Sequence, residues 1–140
     1  VVVGDISFPP QLKSEDGGGF YLVDEKMVAD VLPSRLPMQH KGDFGHAVVI
    51  GGTRGYTGAA ALASNAALRG GAGLVTAVVP EQLYPIVAVK LTEAMTYPAP
   101  GCKNGGFSGS CCASIQPVLD KATVIAVAPD WARKRKQQNF

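Results

Sequence analysis

The chain has little of several things. Of its 140 residues only three are cysteine, two histidine and one tryptophan, and charged residues make up 17%. The cysteines, Cys102, Cys111 and Cys112, lack the paired Cys-x-x-Cys spacing of a zinc site, and adjacent residues are poorly placed to bridge each other. Reduced thiols are the expectation. His40 and His46 form no metal-binding pattern with them, so no metal site is expected in the chain itself. No apolar run reaches membrane-spanning length and the amino end has no signal-peptide pattern, so a cytoplasmic protein without a membrane partner is expected. The net charge is only +2 and the excess is concentrated in Arg133-Lys134-Arg135-Lys136, which reads as a solvated tail rather than a nucleic-acid surface.

What is present is glycine, alanine and short apolar runs. Hydrophobic residues make up 46% of the chain, a composition that suits a buried parallel sheet. Lys13 to Gly19 is polar and glycine-rich and reads as a linker. Tyr21 to Leu32 carries helical spacing of Val23, Met27, Val28 and Val31, with Asp24 available as a cap and Pro33 and Pro37 beyond it. Ala47 to Ile50 and Leu74 to Val79 read as strands, with an Ala-rich helix, Gly58 to Arg69, between them. A helix over Gln82 to Lys90, a strand over Ala94 to Tyr97, a Gly/Pro loop over Pro98 to Gly106, a helix over Ser108 to Asp120 and a buried strand over Thr123 to Val127 follow. Alternation of this kind predicts a parallel sheet covered on both faces by helices. Ligands of such sheets bind beyond the carboxyl ends of the strands, which puts Gly51 to Gly58 and the segment after Val127 on one rim.

Gly51, Gly52, Gly55 and Gly58 allow positive φ and bare backbone N–H groups, and Thr57 stands where a helix N-cap is expected. The helix start would then favour an anion in the loop. The same glycines also suit a packing turn with no ligand, and glycines alone do not decide between the two. The spacing is neither a dinucleotide fingerprint nor a P-loop.

The run His40-Lys41-Gly42-Asp43-Phe44-Gly45, the stretch from Val48 to Ala63 and the stretch from Ala66 to Thr76 resemble the opening of the NAD(P)H-hydrate dehydratases. The resemblance is dense over Leu32 to Pro80 and weaker through Glu93-Ala94-Met95-Thr96 to Val127. It implies a ribokinase-like, three-layer αβα fold with a mostly parallel sheet, here incomplete. It further implies a lyase that restores hydrated NADH or NADPH, with ADP or ATP as co-substrate and Mg2+, and an intact protein that is a homo-oligomer. Carried over residue by residue, Gly58, Ala59 and Ala60 match the segment against the hydrated nucleotide. Lys41, Gly42 and Gly45 match the start motif, and with Gly52 and Thr53 they are expected to face nucleotide or phosphate; an exposed loop lysine is the other reading of Lys41. Val1 to Pro9 resembles the closing strand of the NAD(P)H-hydrate epimerase domain, with Gly4, Ser7 and Phe8 as departures. The implied division is 1–12 epimerase end, 13–20 linker and 21–140 first half of the dehydratase domain.

Two features depart from the family. Where it has Gly-Pro-Gly-Leu-Gly, this chain has Ala128-Pro129-Asp130-Trp131-Ala132. Read one nucleotide out of register, Asp130-Trp131-Ala132 encodes the missing Leu and final Gly whatever the codons, so 128–140 is read as a frame-shifted tail. The family's catalytic acid and nucleotide-holding motifs have no counterpart here, so no catalytic residue is assigned; Asp43 and Glu93 are carboxylates without a placed role. A chain of this extent is expected to be inactive alone. The competing readings are a small-molecule kinase of the same superfamily and a non-catalytic remnant.

Overall fold

The computed structural model describes residues 23–32 and 34–128. The expectations for 1–22 and 129–140 lie outside them. The chain forms two compact units that divide after Pro37.

In the first unit, helix α1 spans Glu25–Val31. Asp24 caps it as expected: its side chain accepts from the Met27 N–H at 2.8 Å. Leu32 is extended, the conformation a residue before proline requires. Val23, Met27, Val28, Val31 and Leu32 share a groove of about 340 Å³ on this helix, and all are substantially exposed.

The second unit is a four-stranded parallel sheet. Its strands are β1 (His46–Ile50), β2 (Leu74–Pro80), β3 (Met95–Ala99) and β4 (Val124–Val127), in the order β3-β2-β1-β4. The helices are α2 (Thr57–Arg69), α3 (Tyr84–Lys90) and α4 (Cys111–Leu119). The pleat sorts the strand residues by face. Ala47, Val49, Val75, Ala77 and Val79 form one core with Ala60, Ala61, Leu83 and Val87, under α2 and α3. Val48, Ile50, Val78 and Ala99 form the other with Cys111 and Ile115 of α4. The small side chains of Ala60 and Ala61 let α2 lie close on the sheet.

From β1 the chain steps to β2 and β3 with helices on one face. From β3 it returns past β1 to β4 with its helix on the other face. Reversing direction and face together keeps the crossovers of one hand. The strand order therefore reverses between β1 and β4, which is where doubly wound sheets bind ligands.

Several elements differ in detail from the sequence expectation. The segment after β2 opens with a 3-10 turn, Glu81–Leu83, before α3, because Pro85 supplies no N–H and fits only a first helical turn. β3 runs on to Ala99 through Pro98, which the free edge of an outer strand tolerates. β4 was expected to be buried and is not: Val124 is 58% and Val127 55% exposed. Its apolar composition suits a strand covered on both faces, but among the described residues it pairs with β1 alone.

Candidate functional site at the carboxyl rim of the sheet

The loop after β1 leaves the sheet at Gly51, whose N–H still bonds the Val78 carbonyl at 3.1 Å. Gly52 (φ 97°) and Gly55 (φ 90°) turn the chain through conformations closed to most side chains. Between them Thr53 and Arg54 form a tip, closed by the Tyr56 N–H on the Thr53 carbonyl at 2.8 Å. Gly51 and Gly58 do not take positive φ, contrary to expectation. Gly51 is required for another reason: a β-carbon there would lie 2.8 Å from the Ala128 Cβ.

Helix α2 begins one residue earlier than expected. Thr57 is its first residue rather than its cap, and its hydroxyl is taken by the Lys90 ammonium at 3.0 Å. Tyr56 occupies the N-cap position and offers no side-chain acceptor. The first N–H groups of a 13-residue helix thus meet no side-chain cap from Tyr56, at the rim where its dipole favours negative charge. A β-carbon on Gly58 would meet nothing within 4 Å among the described residues, chain neighbours and its own helix aside, so the space they leave beside it is open. Ala59 is exposed. Ala60 is 1% exposed and its side chain belongs to the core, so only its backbone is left for a ligand.

The other wall of the rim is the connection from β3 to α4, read from sequence only as a loop. Gly105 accepts the Arg54 N–H on its carbonyl at 3.1 Å. A β-carbon on Gly106 would be 3.9 Å from the Thr53 methyl. Ala128 closes the rim beside β1, its N–H on the Ile50 carbonyl at 2.9 Å. The segment from Pro129 lies outside the described residues. Arg54, Gly105 and Gly106 were missed by sequence reasoning, because a Gly/Pro-rich stretch signals a turn but not what it docks against.

Lys41, Gly42 and Gly45 are not on this rim. They form a 3-10 turn, Lys41–Phe44, and its exit at the amino end of β1. The turn ties β1 to β2: Gly73 N–H bonds the Phe44 carbonyl at 3.1 Å and Leu74 N–H the Gly45 carbonyl at 3.0 Å. Asp43 accepts the His40 N–H at 2.8 Å and completes the turn. One strand of five residues at about 3.3 Å each separates the two rims by roughly 16 Å. The structure thus brings Gly52, Thr53, Gly58, Ala59 and Ala60 together and leaves the Lys41 group on the far side. Asp43 and Glu93 both lie at the amino side of strands, away from the glycine loop.

A cavity of about 750 Å³ also opens at the amino end, lined among others by His46, Thr76, Tyr97, Pro117, Lys121 and Thr123. His46 Nε2 and Thr76 Oγ1 satisfy each other there at 2.8 Å. Among the described residues no cluster of three or more His, Cys, Asp or Glu side chains could hold a metal ion. Nor is any helix among them long and apolar enough to cross a membrane.

The NAD(P)H-hydrate dehydratase family matches residues 47–138. The bifunctional NAD(P)H-hydrate repair enzyme Nnr of Moorella thermoacetica is 37% identical over 131 residues, covering 94% of this chain and 25% of that protein. The ADP-dependent (S)-NAD(P)H-hydrate dehydratase of Lactococcus lactis is 40% identical over 75 residues, 54% of this chain and 27% of that protein. The chain thus spans about a quarter of the length of the curated relatives it matches. A ribokinase-like superfamily protein of Enterococcus faecalis superposes with a TM-score of 0.64 at 23% identity, over 84% of this chain and 40% of that one. An ADP/ATP-dependent NAD(P)H-hydrate dehydratase of Bacillus subtilis, co-crystallised with ATP/Mg2+, gives 0.50 at 24% identity, over 74% of this chain and 44% of that one. These two likenesses establish the ribokinase-like fold. With the family match covering most of the sequence, the chain belongs to the NAD(P)H-hydrate dehydratase family.

Proposed function

We propose that this chain is the first half of a dehydratase domain that converts NAD(P)H hydrate to NAD(P)H at the expense of ADP or ATP, with Mg2+ carried by the nucleotide. The observation that carries the reading is the start of α2, which the Tyr56 side chain does not cap, beside Gly58, at the point where strand order reverses. Gly58, Ala59 and Ala60 lie against the hydrated nucleotide, the last through its backbone. Gly52 gives the loop the turn it needs to present that helix start, and Thr53 stands at the loop tip. Lys41, Gly42 and Gly45 serve instead to close the amino ends of β1 and β2. The Gly73–Phe44 and Leu74–Gly45 hydrogen bonds of the turn that contains them support this role, which we propose in place of the phosphate-facing one.

The domain division belongs to the same proposal: 1–12 closes an epimerase-like domain, 13–20 links, and 21–140 opens the dehydratase. Alignment of most of the chain with bifunctional relatives supports it. A nucleotide-repair enzyme in the cytoplasm, oligomeric when intact, completes the reading.

The test is an assay of hydrated NADPH with ADP, with ATP and with neither. It uses the chain alone and the chain with residues from 128 onward replaced by the corresponding part of the Moorella thermoacetica relative. Turnover by the joined protein only, and only with a nucleotide, is expected. Phosphorylation of a small alcohol by the joined protein without dehydration would favour a kinase instead.

A further inference from the structure

We propose that Gly105 is a positioning residue for the glycine loop, and that the turn from Cys102 to Gly106 is a brace fixing where Arg54 sits. The proposal rests on the reading of the carboxyl rim as the nucleotide-handling side.

The turn is rigid by its own bonds. Cys102 N–H donates to the Gly106 carbonyl and Gly105 N–H to the Cys102 carbonyl, both at 2.8 Å. Gly101 bridges Phe107 in antiparallel fashion, and Ser108 N–H bonds the Pro100 carbonyl at 2.9 Å. This hairpin docks on the glycine loop at Gly105, with Gly106 beside Thr53. The buried Gly105 receives the Arg54 N–H at 3.1 Å and lies directly under the Arg54 side chain. A β-carbon on Gly105 would fall 2.7 Å from the Arg54 Cβ and 3.4 Å from its nitrogen. Gly105 also has φ +77°, so any side chain there is opposed twice, by the backbone and by Arg54. Gly101 is different. It packs against the carboxamide of Gln82, the far end of a flexible side chain that can move aside.

The glycine loop needs such a brace. Arg54 stands between two glycines at positive φ, Gly52 and Gly55, and glycine has the largest conformational freedom to lose on ordering. A hydrogen bond at the tip, supplied by a separate connection, removes that freedom before any ligand arrives. It thereby sets the direction in which Tyr56 and Thr57 enter α2. Preorganisation of this kind raises affinity without adding a contact to the ligand.

The experiment uses the 140-residue chain, uniformly labelled with 15N. Amide hydrogen exchange is followed in wild type, Gly105→Ala, Arg54→Gly and the double variant. Gly105→Ala is expected to speed exchange at residues 54 and 56 roughly tenfold or more, with Val48 and Val78 unchanged as core controls. In the Arg54→Gly background, where the facing β-carbon is gone, the same substitution should have a smaller effect. Equal effects in both backgrounds, or no effect in either, overturn the brace. Each substitution is then placed in the joined protein, which is titrated with ADP–Mg2+ and with NADPH, following the amides of Thr57, Gly58 and Ala59. Weaker binding by Gly105→Ala, by roughly tenfold, supports positioning. Unaltered binding despite altered exchange reduces the turn to a structural role and overturns the proposal. If the joined protein without these substitutions responds to neither nucleotide, the functional reading of the rim falls, while the exchange cycle still decides the brace.

Discussion

Gly51 and Ala128 face each other across β1 and β4 at the point where the strand order reverses. The Ala128 N–H bonds the Ile50 carbonyl at 2.9 Å, and a β-carbon on Gly51 would lie 2.8 Å from that of Ala128. That clash would arise only because residue 128 carries a side chain. Gly51→Ala should therefore destabilise the chain by about 1–3 kcal/mol, the usual cost of overpacking. Ala128→Gly should recover most of that loss, because, chain neighbours aside, the Ala128 Cβ is the only atom of the described residues within 4 Å of the added group. Urea denaturation of the two single variants and the double variant checks this.

Gly58→Asp should leave folding intact and abolish NADPH binding in the joined protein. A β-carbon there meets nothing within 4 Å among the described residues beyond its own helix and chain neighbours, and Gly58 does not take positive φ. The carboxylate would occupy the start of α2 that the ligand needs. Circular dichroism and NADPH titration together check it; unchanged affinity would remove Gly58 from the site.

The order of strands and helices was legible in the sequence because apolar runs of strand length alternate with an Ala-rich helical stretch. The parallel pairing of Ala47–Ile50 with Leu74–Val79 follows from that alternation and is what the sheet shows. The site was half legible. Glycines at 52 and 55 announce a turn, but a motif does not say at which end of a strand its neighbours lie. Lys41 precedes β1 and Thr53 follows it, so a parallel strand carries them to opposite rims. The Arg54–Gly105 contact was not legible, because it joins residues far apart in sequence through a glycine whose need for φ +77° no local pattern reveals. The burial of β4 failed for a similar reason: composition tells what a strand prefers to touch, not what pairs with it.

The thiols at the start of α4 should separate by reactivity. Cys111 is 2% exposed and Cys112 is exposed. Burial first, and Cys112 beside it second, push the Cys111 thiol above its ordinary value of 9.0. Iodoacetamide at neutral pH should label Cys112 before Cys111 in the folded chain. The raised pKa means that the unfolded chain releases this proton first, so stability should decline as pH rises above about 9. The decline should be shallower in Cys111→Ala, measured as urea midpoints against pH.

Resequencing of the coding region should reveal a lost nucleotide near the codon for Ala128, restoring Gly-Pro-Gly-Leu-Gly and further dehydratase-like sequence. The family match reaches residue 138 in the frame as given, which is what the idea has to overcome. Codons incompatible with that motif in the alternative frame would end the idea.

The central claim is that the nucleotide is handled at the carboxyl rim of the sheet. Hydrogen–deuterium exchange of the joined protein with and without NADPH tests it most directly. The account predicts protection in peptides covering residues 51–60 and none in peptides covering 38–45. Protection of 38–45 with 51–60 unchanged would contradict it.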